Sequence, residues 1–161
     1  MQKIEFTPIG IIYSPFNELK GMPIQPVAAK DIEGKIEVFP EYTAGLKDLD
    51  GFSHIILLYY LHKSQGFDLE VVPFLDTQKR GLFATRAPRR PNPIGLSVVR
   101  INRIEKNIIH ILDVDILNET PLLDIKPMVT DFDQVETVRL GWYNSVKKDS
   151  RSMRSDGRFV K

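Results

Sequence analysis

The chain contains no cysteine, which excludes disulfides, thiolate metal sites, iron–sulfur clusters and cysteine nucleophiles together. Its ten glycines are dispersed, and no two fall within five positions of each other. Neither a Gly-x-Gly-x-x-Gly dinucleotide loop nor a Gly-x-x-x-x-Gly-Lys phosphate loop therefore fits anywhere in it. Histidine is scarce: His54, His62 and His110 form no i, i+4 pair, so no metal site is expected. No apolar run approaches the roughly eighteen residues that span a bilayer, and the first six residues carry no apolar leader. The expectation is a soluble, cytoplasmic protein with no membrane partner. Charge of one sign is also missing. With 22 Lys and Arg against 21 Asp and Glu the net charge is +1, so any nucleic-acid contact must come from local patches.

What is present fits one domain, since 161 residues at 42% hydrophobic content can bury a sizeable core. Ile4–Ser14 and Lys35–Phe39 read as isoleucine-rich strands, with a short helix over Pro40–Leu49. His54–Leu61 is a continuous apolar run of strand length, expected to be buried on both faces. Leu96–Ile104 and Ile108–Leu117 read as a strand pair around Glu105-Lys106-Asn107. In the second strand, alternation places Ile108, Leu112, Val114 and Ile116 on one face and Asp113 and Asp115 on the other. A 3.6-residue period appears only at Val135–Val146. The pattern predicts a mostly β, single compact barrel-like domain with short helices over residues 1–143. Residues 144–161 read as a basic, loosely ordered tail.

The most informative stretch is Phe83-Ala-Thr-Arg-Ala-Pro-Arg-Arg-Pro-Asn-Pro-Ile-Gly-Leu-Ser97. Arg86, Arg89 and Arg90 fall within five residues, among Pro88, Pro91 and Pro93. Proline fixes φ and lacks a donor, so the segment is neither helix interior nor central strand. A stiff loop carrying guanidinium groups suits an anionic ligand, because little entropy is lost on binding. The opposing reading is a solvated basic turn.

This loop resembles the signature of the TsaA-like/TrmO family of tRNA methyltransferases. Ile9-Gly-Ile-Ile-Tyr-Ser-Pro-Phe16, Pro23-Ile-Gln-Pro26, Leu49-Asp-Gly-Phe-Ser-His54 and Thr120-Pro-Leu-Leu-Asp-Ile-Lys-Pro127 are similar to further motifs of that family. The resemblance implies a TsaA-like β-barrel, S-adenosylmethionine as cofactor, tRNA as partner, and a homodimer with the cofactor site near its interface. It also implies methylation of N6 of threonylcarbamoyladenosine at position 37. By correspondence, Pro26, Val27 and Ala28 offer backbone to the cofactor, and His62 and Lys63 lie on a cofactor-contacting turn. Arg86 meets the methionyl carboxylate, Leu96 the adenosine, and Leu117, Asn118, Glu119 and Thr120 form a further contact segment. Asp124 is the first candidate to orient or deprotonate the acceptor nitrogen, with Asp115 and Asp113 competing. Arg89, Arg90, Asn92 and Lys126 fall on the substrate side. The chain departs from the family at Val27 (usually glycine), at Asn118-Glu119 (usually Asp-Gly) and at Met128 (usually tyrosine). Those departures keep two rival readings open: a non-catalytic S-adenosylmethionine-binding module, and an RNA-binding protein that uses the arginine loop.

Overall fold

β-branched runs bounded by Gly, Pro and charged turns leave little length for helices. The computed structural model, which describes residues 2–24, 28–146 and 154–159, accordingly contains eight strands. They are β1 (Gly10–Tyr13), β2 (Glu33–Val38), β3 (His54–Tyr60), β4 (Glu70–Val71), β5 (Arg80–Gly81), β6 (Ile94–Glu105), β7 (Ile108–Leu112) and β8 (Thr120–Pro127). Six of them close an antiparallel barrel in the order β1-β2-β7-β6-β3-β8, while β4 and β5 form a separate hairpin. Closure leaves the barrel without an unpaired edge. Ile12, Ile36, Ile55, Leu57, Val99, Ile109, Ile111 and Leu122 fill it, each at most 1% exposed.

Four expectations are adjusted. The first strand is only Gly10–Tyr13, and residues 2–7 before it are exposed. Pro40–Leu46 is a 3-10 helix with proline in its first turn. Residues 130–140 are all exposed and hold only the one-turn helix α1 (Thr130–Asp133), with a second, α2, at Tyr143–Val146. An amphipathic period without a surface to receive its face does not hold a helix. β3 buries only one face: Ile55, Leu57 and Tyr59 point inward, whereas Tyr60 is exposed.

The face of β7 is also corrected. Its buried residues are Ile109 and Ile111, not Ile108 and Leu112. Asp113 then adopts φ 69°, in the left-handed region, and this breaks the period-two alternation. Beyond it Val114 and Ile116 are buried, at 0% and 2% exposure. Arg100 holds the turn: it donates to Asp113 from Nε and Nη2, at 2.5 and 2.8 Å, and to Asp31 at 2.5 Å.

Part of the segment read as a loose tail is docked, while residues 147–153, 160 and 161 lie outside the described residues. Ser155 exchanges backbone hydrogen bonds with Gly21 and Met22, both 2.8 Å, and Pro23 bridges Arg154. Phe159 packs with Val71, Leu82 and Ala87, edge-on to Phe74, and Arg158 donates to the Pro73 carbonyl at 2.7 Å.

Candidate functional site

The site is built at the barrel end where β3 leaves, β6 begins and the β7–β8 connection crosses. The arginine loop enters β6 here, and its shape follows from its own hydrogen bonds. Thr85 Oγ1 donates to the Leu82 carbonyl (2.8 Å) and accepts from the Ala87 N–H (3.2 Å). Arg90 donates to the carbonyls of Thr85 (3.0 Å) and Ala87 (3.3 Å), and its guanidinium lies over the exposed Phe83 ring, 5.8 Å from the centroid. Arg89 donates to the Gln65 carbonyl (3.1 Å) and pairs with Asp68 (3.4 Å). Ser64 ties the loop to the turn after β3 by donating to the Pro88 carbonyl at 2.9 Å. Two of the three arginines are thus struts of the loop itself. Arg86 is exposed, and its charge acts on Asp115 and Tyr59.

Behind Arg86 runs a polar chain. Tyr59, on the inward face of β3, stands 2.9 Å from Ser97 Oγ on β6, and Ser97 donates to Asp115 Oδ1 at 2.6 Å. Tyr59 is 7% exposed and Ser97 only 1%. Burial pushes the Asp115 carboxyl up to about 6, against the opposing pull of the Ser97 hydrogen bond and the Arg86 charge. Burial likewise raises the Tyr59 phenol well above the ordinary range, so it remains protonated. Gly95 makes room for this tyrosine: it is paired with Tyr59 across the sheet, and a Cβ there would overlap the ring. The glycine of Pro-Ile-Gly thus serves close packing.

On the other side of the mouth, His62 Nδ1 lies 3.4 Å from Thr120 Oγ1. Thr120 donates its proton to the Leu117 carbonyl at 2.7 Å, so the imidazole is the donor between the two. Burial first, and then the Lys63 charge, lower the His62 pKa and keep the ring neutral near pH 7. Asn118 is a structural anchor. Its Oδ1 accepts from the Ser14 N–H (3.1 Å), its Nδ2 donates to Asn17 (3.0 Å), and its own N–H donates to the Phe16 carbonyl (2.7 Å). Glu119 has φ 60°, the left-handed backbone that glycine adopts with least strain, so the path of a glycine is kept under a different side chain.

The residues singled out from sequence fall into two groups. Arg86, Asp115, His62, Lys63, Leu117, Asn118, Glu119 and Thr120 surround the mouth, with Arg89, Arg90 and Asn92 on the loop above it. Ala28 lies on the chain that leads into β2 at the same end, while Pro26 and Val27 lie outside the described residues. Leu96, Asp124 and Lys126 stand instead on the outer face of the sheet. Leu96 and Asp124 flank Leu58 in register, and Lys126 is opposite Ile56. Asp124 pairs with Lys126 at 2.7 Å and is four residues along β8 from Thr120, about 13 Å at the usual rise. It also borders a cleft lined by Tyr42, Leu46 and Phe52. Asp115 is therefore the carboxylate beside Arg86. Ser97 and Tyr59 were missed as site residues; the available signal was a hydroxyl at inward positions of strands that otherwise bury aliphatic side chains. Among the described residues no three His, Asp or Glu side chains gather as a metal cluster, and no helix is long and apolar enough to cross a membrane.

Comparison with known proteins adds the family. The model of the tRNA-methyltransferase O N-terminal domain matches residues 11–134. A Pyrococcus abyssi protein described as a probable S-adenosyl-L-methionine-binding protein is 56% identical over 96% of this chain and 84% of its own length. A Mus musculus tRNA (adenine(37)-N6)-methyltransferase is 33% identical over 92% of this chain and 35% of its own. A crystal structure of TrmO from Pseudomonas aeruginosa superposes with a TM-score of 0.74 at 36% identity, covering 88% of this chain and 63% of that one. The chain thus spans under two thirds of this solved neighbour and about a third of the mouse enzyme.

Proposed function

This chain belongs to the tRNA-methyltransferase O N-terminal domain family, and we propose that it is an S-adenosylmethionine-dependent tRNA methyltransferase. We further propose that it acts on N6 of threonylcarbamoyladenosine at position 37. The observation that carries this reading is the juxtaposition of an exposed guanidinium, Arg86, with a half-buried carboxylate, Asp115, whose pKa lies near 6.

The donor set fits a zwitterionic sulfonium. The Arg86 fork suits a carboxylate, Leu117 offers apolar surface beside Thr120, and the carboxylate of Asp115 complements positive charge. When bound, the cofactor supplies an electrophilic methyl group, the C–S electron pair staying on sulfur as the N–C bond forms. The protein's part is to align the acceptor nitrogen and take its proton. Alignment contributes up to about 7–11 kcal/mol, and a positioned base about 10²–10⁴-fold in rate. Ionised above pH 6, Asp115 accepts the proton. His62, neutral and donating from Nδ1 to Thr120, leaves Nε2 as an acceptor. Phe83, exposed and covered on one side by Arg90, offers a stacking surface for an unstacked base.

The second part of the proposal is a homodimer. Tyr60, Ile94 and Leu96 are 42%, 39% and 49% exposed on the outer face of β3 and β6, beside Leu58 and the Asp124–Lys126 pair. A contiguous apolar face of this kind marks an interface. The occupant we infer is a second copy, because Leu96, Asp124 and Lys126 are site candidates that lie away from the mouth of their own barrel. A dimer through this face is consistent with a site completed by both subunits.

The test is methyl transfer from labelled S-adenosylmethionine to tRNA with and without threonylcarbamoyladenosine at position 37. Label only in the modified tRNA supports the proposal. Label in both would move the substrate assignment to unmodified adenine. Cofactor binding with no transfer would favour the non-catalytic module.

A further inference from the structure

Deep in the mouth, three polar groups form a line that barrel stability does not call for. Tyr59 and Ser97 occupy inward positions on paired strands, in a core cluster whose other buried members are all aliphatic, and Ser97 is only 1% exposed. Hydrogen-bond logic fixes the direction of the line. An ionised carboxylate only accepts, so Ser97 donates its single proton to Asp115 Oδ1 at 2.6 Å. The serine oxygen can then only accept from Tyr59, 2.9 Å away, whose phenol is the terminal donor. Tyr59 is itself clamped against the bare backbone of Gly95. The charged and titratable groups that act on Asp115 are Arg86, from the arginine loop, and Tyr59, from β3.

We propose that Ser97 and Tyr59 are positioning residues of the methyl-transfer reaction: their one-way hydrogen-bond chain holds Asp115 Oδ1 and directs its remaining lone pairs at the acceptor nitrogen. The inference rests on the reading of Asp115 as proton acceptor. In the step it serves, the N–H bond breaks with its electron pair left on nitrogen, and an O–H bond forms on the carboxylate. The chain also sets the pH at which the carboxylate is ready. A hydrogen bond to the charged form favours that form, so the Ser97 hydroxyl, itself held by Tyr59, counters burial and helps keep Asp115 ionised at neutral pH.

Two variants probe the chain without touching the ligand-facing groups, Ser97→Ala and Tyr59→Phe. The first readout needs no cofactor: titration of the Asp115 carboxyl carbon by NMR in the unliganded protein. Ser97→Ala should raise the midpoint by about one pH unit or more, as loss of a bond to a charged group implies. Tyr59→Phe should move it the same way by less. The second readout is the acidic limb of kcat against pH, which should shift with the carboxyl midpoint while KM for the cofactor stays within about twofold. An unmoved midpoint and an unmoved limb in both variants would overturn the positioning role. Asp115→Asn separates this outcome from failure of the parent reading: wild-type turnover in that variant would remove Asp115 from the reaction, whatever the titrations give.

Discussion

The same two strands present opposite surfaces. On the inward side of β3 and β6, at the mouth, stand Tyr59, Gly95 and Ser97, a phenol and a hydroxyl leading to Asp115. On the outward side, one residue away, stand Leu58, Tyr60, Ile94 and Leu96, largely apolar and in part open to water. An isolated barrel wants the reverse, apolar inside and polar outside. Each violation has its own meaning: polar groups buried at a barrel end mark chemistry, and apolar groups exposed on a strand face mark a partner. A substitution that reaches one surface should leave the other unchanged, and this separation can be measured.

The largest effect is expected on the outer face. Ile94→Glu places a charge where a second copy would bury it, a cost of about 3 kcal/mol or more. Dimer association should weaken at least about a hundredfold by sedimentation velocity, with the circular dichroism of the barrel unchanged. A monomeric wild-type protein would dissolve the comparison at once. At the mouth, Arg86→Ala should weaken S-adenosylmethionine binding about tenfold or more by calorimetry, as loss of a charge-assisted bond of roughly 1.5–3 kcal/mol implies. It should leave the sedimentation coefficient alone. An unchanged affinity would take Arg86 out of the site.

A third effect has a sign that tells function from stability. The carboxyl of Asp115 has a raised pKa in the folded protein, about 6, so its proton is held more tightly folded than unfolded. The ionised form is penalised by folding: stability is greatest below the unfolded value and falls as pH rises toward 6. Asp115→Asn should therefore raise Tm at pH 8, with a gain in unfolding free energy of no more than about 3 kcal/mol, and change little at pH 4, while turnover is lost. A lower Tm at pH 8 would place the carboxylate among the stabilising groups. The smallest effect belongs to Asp124→Asn. Its pair with Lys126 is 42% and 60% exposed at the two side chains, so unfolding free energy should change by under about 1 kcal/mol. A strong loss of turnover without loss of cofactor affinity would join the outer face to the reaction.

How much of this the sequence carries depends on the range of the interaction. Proline spacing and isoleucine runs are local, and they place the arginine loop, β2, β3 and the β6–β7 hairpin within a few residues. A mostly β, barrel-like domain also follows from local patterning, whereas its closure through β1–β8 and β3–β8 pairing and the loss of the helical period at 135–146 depend on distant contacts. The phase of β7 does not, because alternation assumes an unbroken strand. One left-handed residue, Asp113, held by Arg100 and linked through it to Asp31, resets the alternation and delivers Asp115 to the mouth. Arg89 and Arg90 look equivalent to Arg86 in the sequence, yet Arg90 is spent on carbonyls of the loop and Arg89 on the Gln65 carbonyl and the Asp68 carboxylate. Ser97 sits on β6 and Asp115 beyond the end of β7, so their contact depends on the reset at Asp113 and not on the hairpin alone, which is why Asp124, in a recognisable motif, stood ahead of Asp115. Docking of residues 154–159 depends on one phenylalanine, one arginine and the Ser155 backbone in a polar, basic stretch.

That docking makes the molecule hard to take apart with a protease. The natural place to cut is the open chain over residues 130–140, every one of them exposed. A single nick there separates the covalent chain in two, yet the released fragment keeps its grip through Phe159 in its apolar seat, Arg158 on Pro73 and Ser155 on Gly21 and Met22. The nicked protein should run as one species on a native gel and as two under denaturing conditions. Such a split pair offers a way to exchange the docked segment for a labelled or altered one without refolding the barrel.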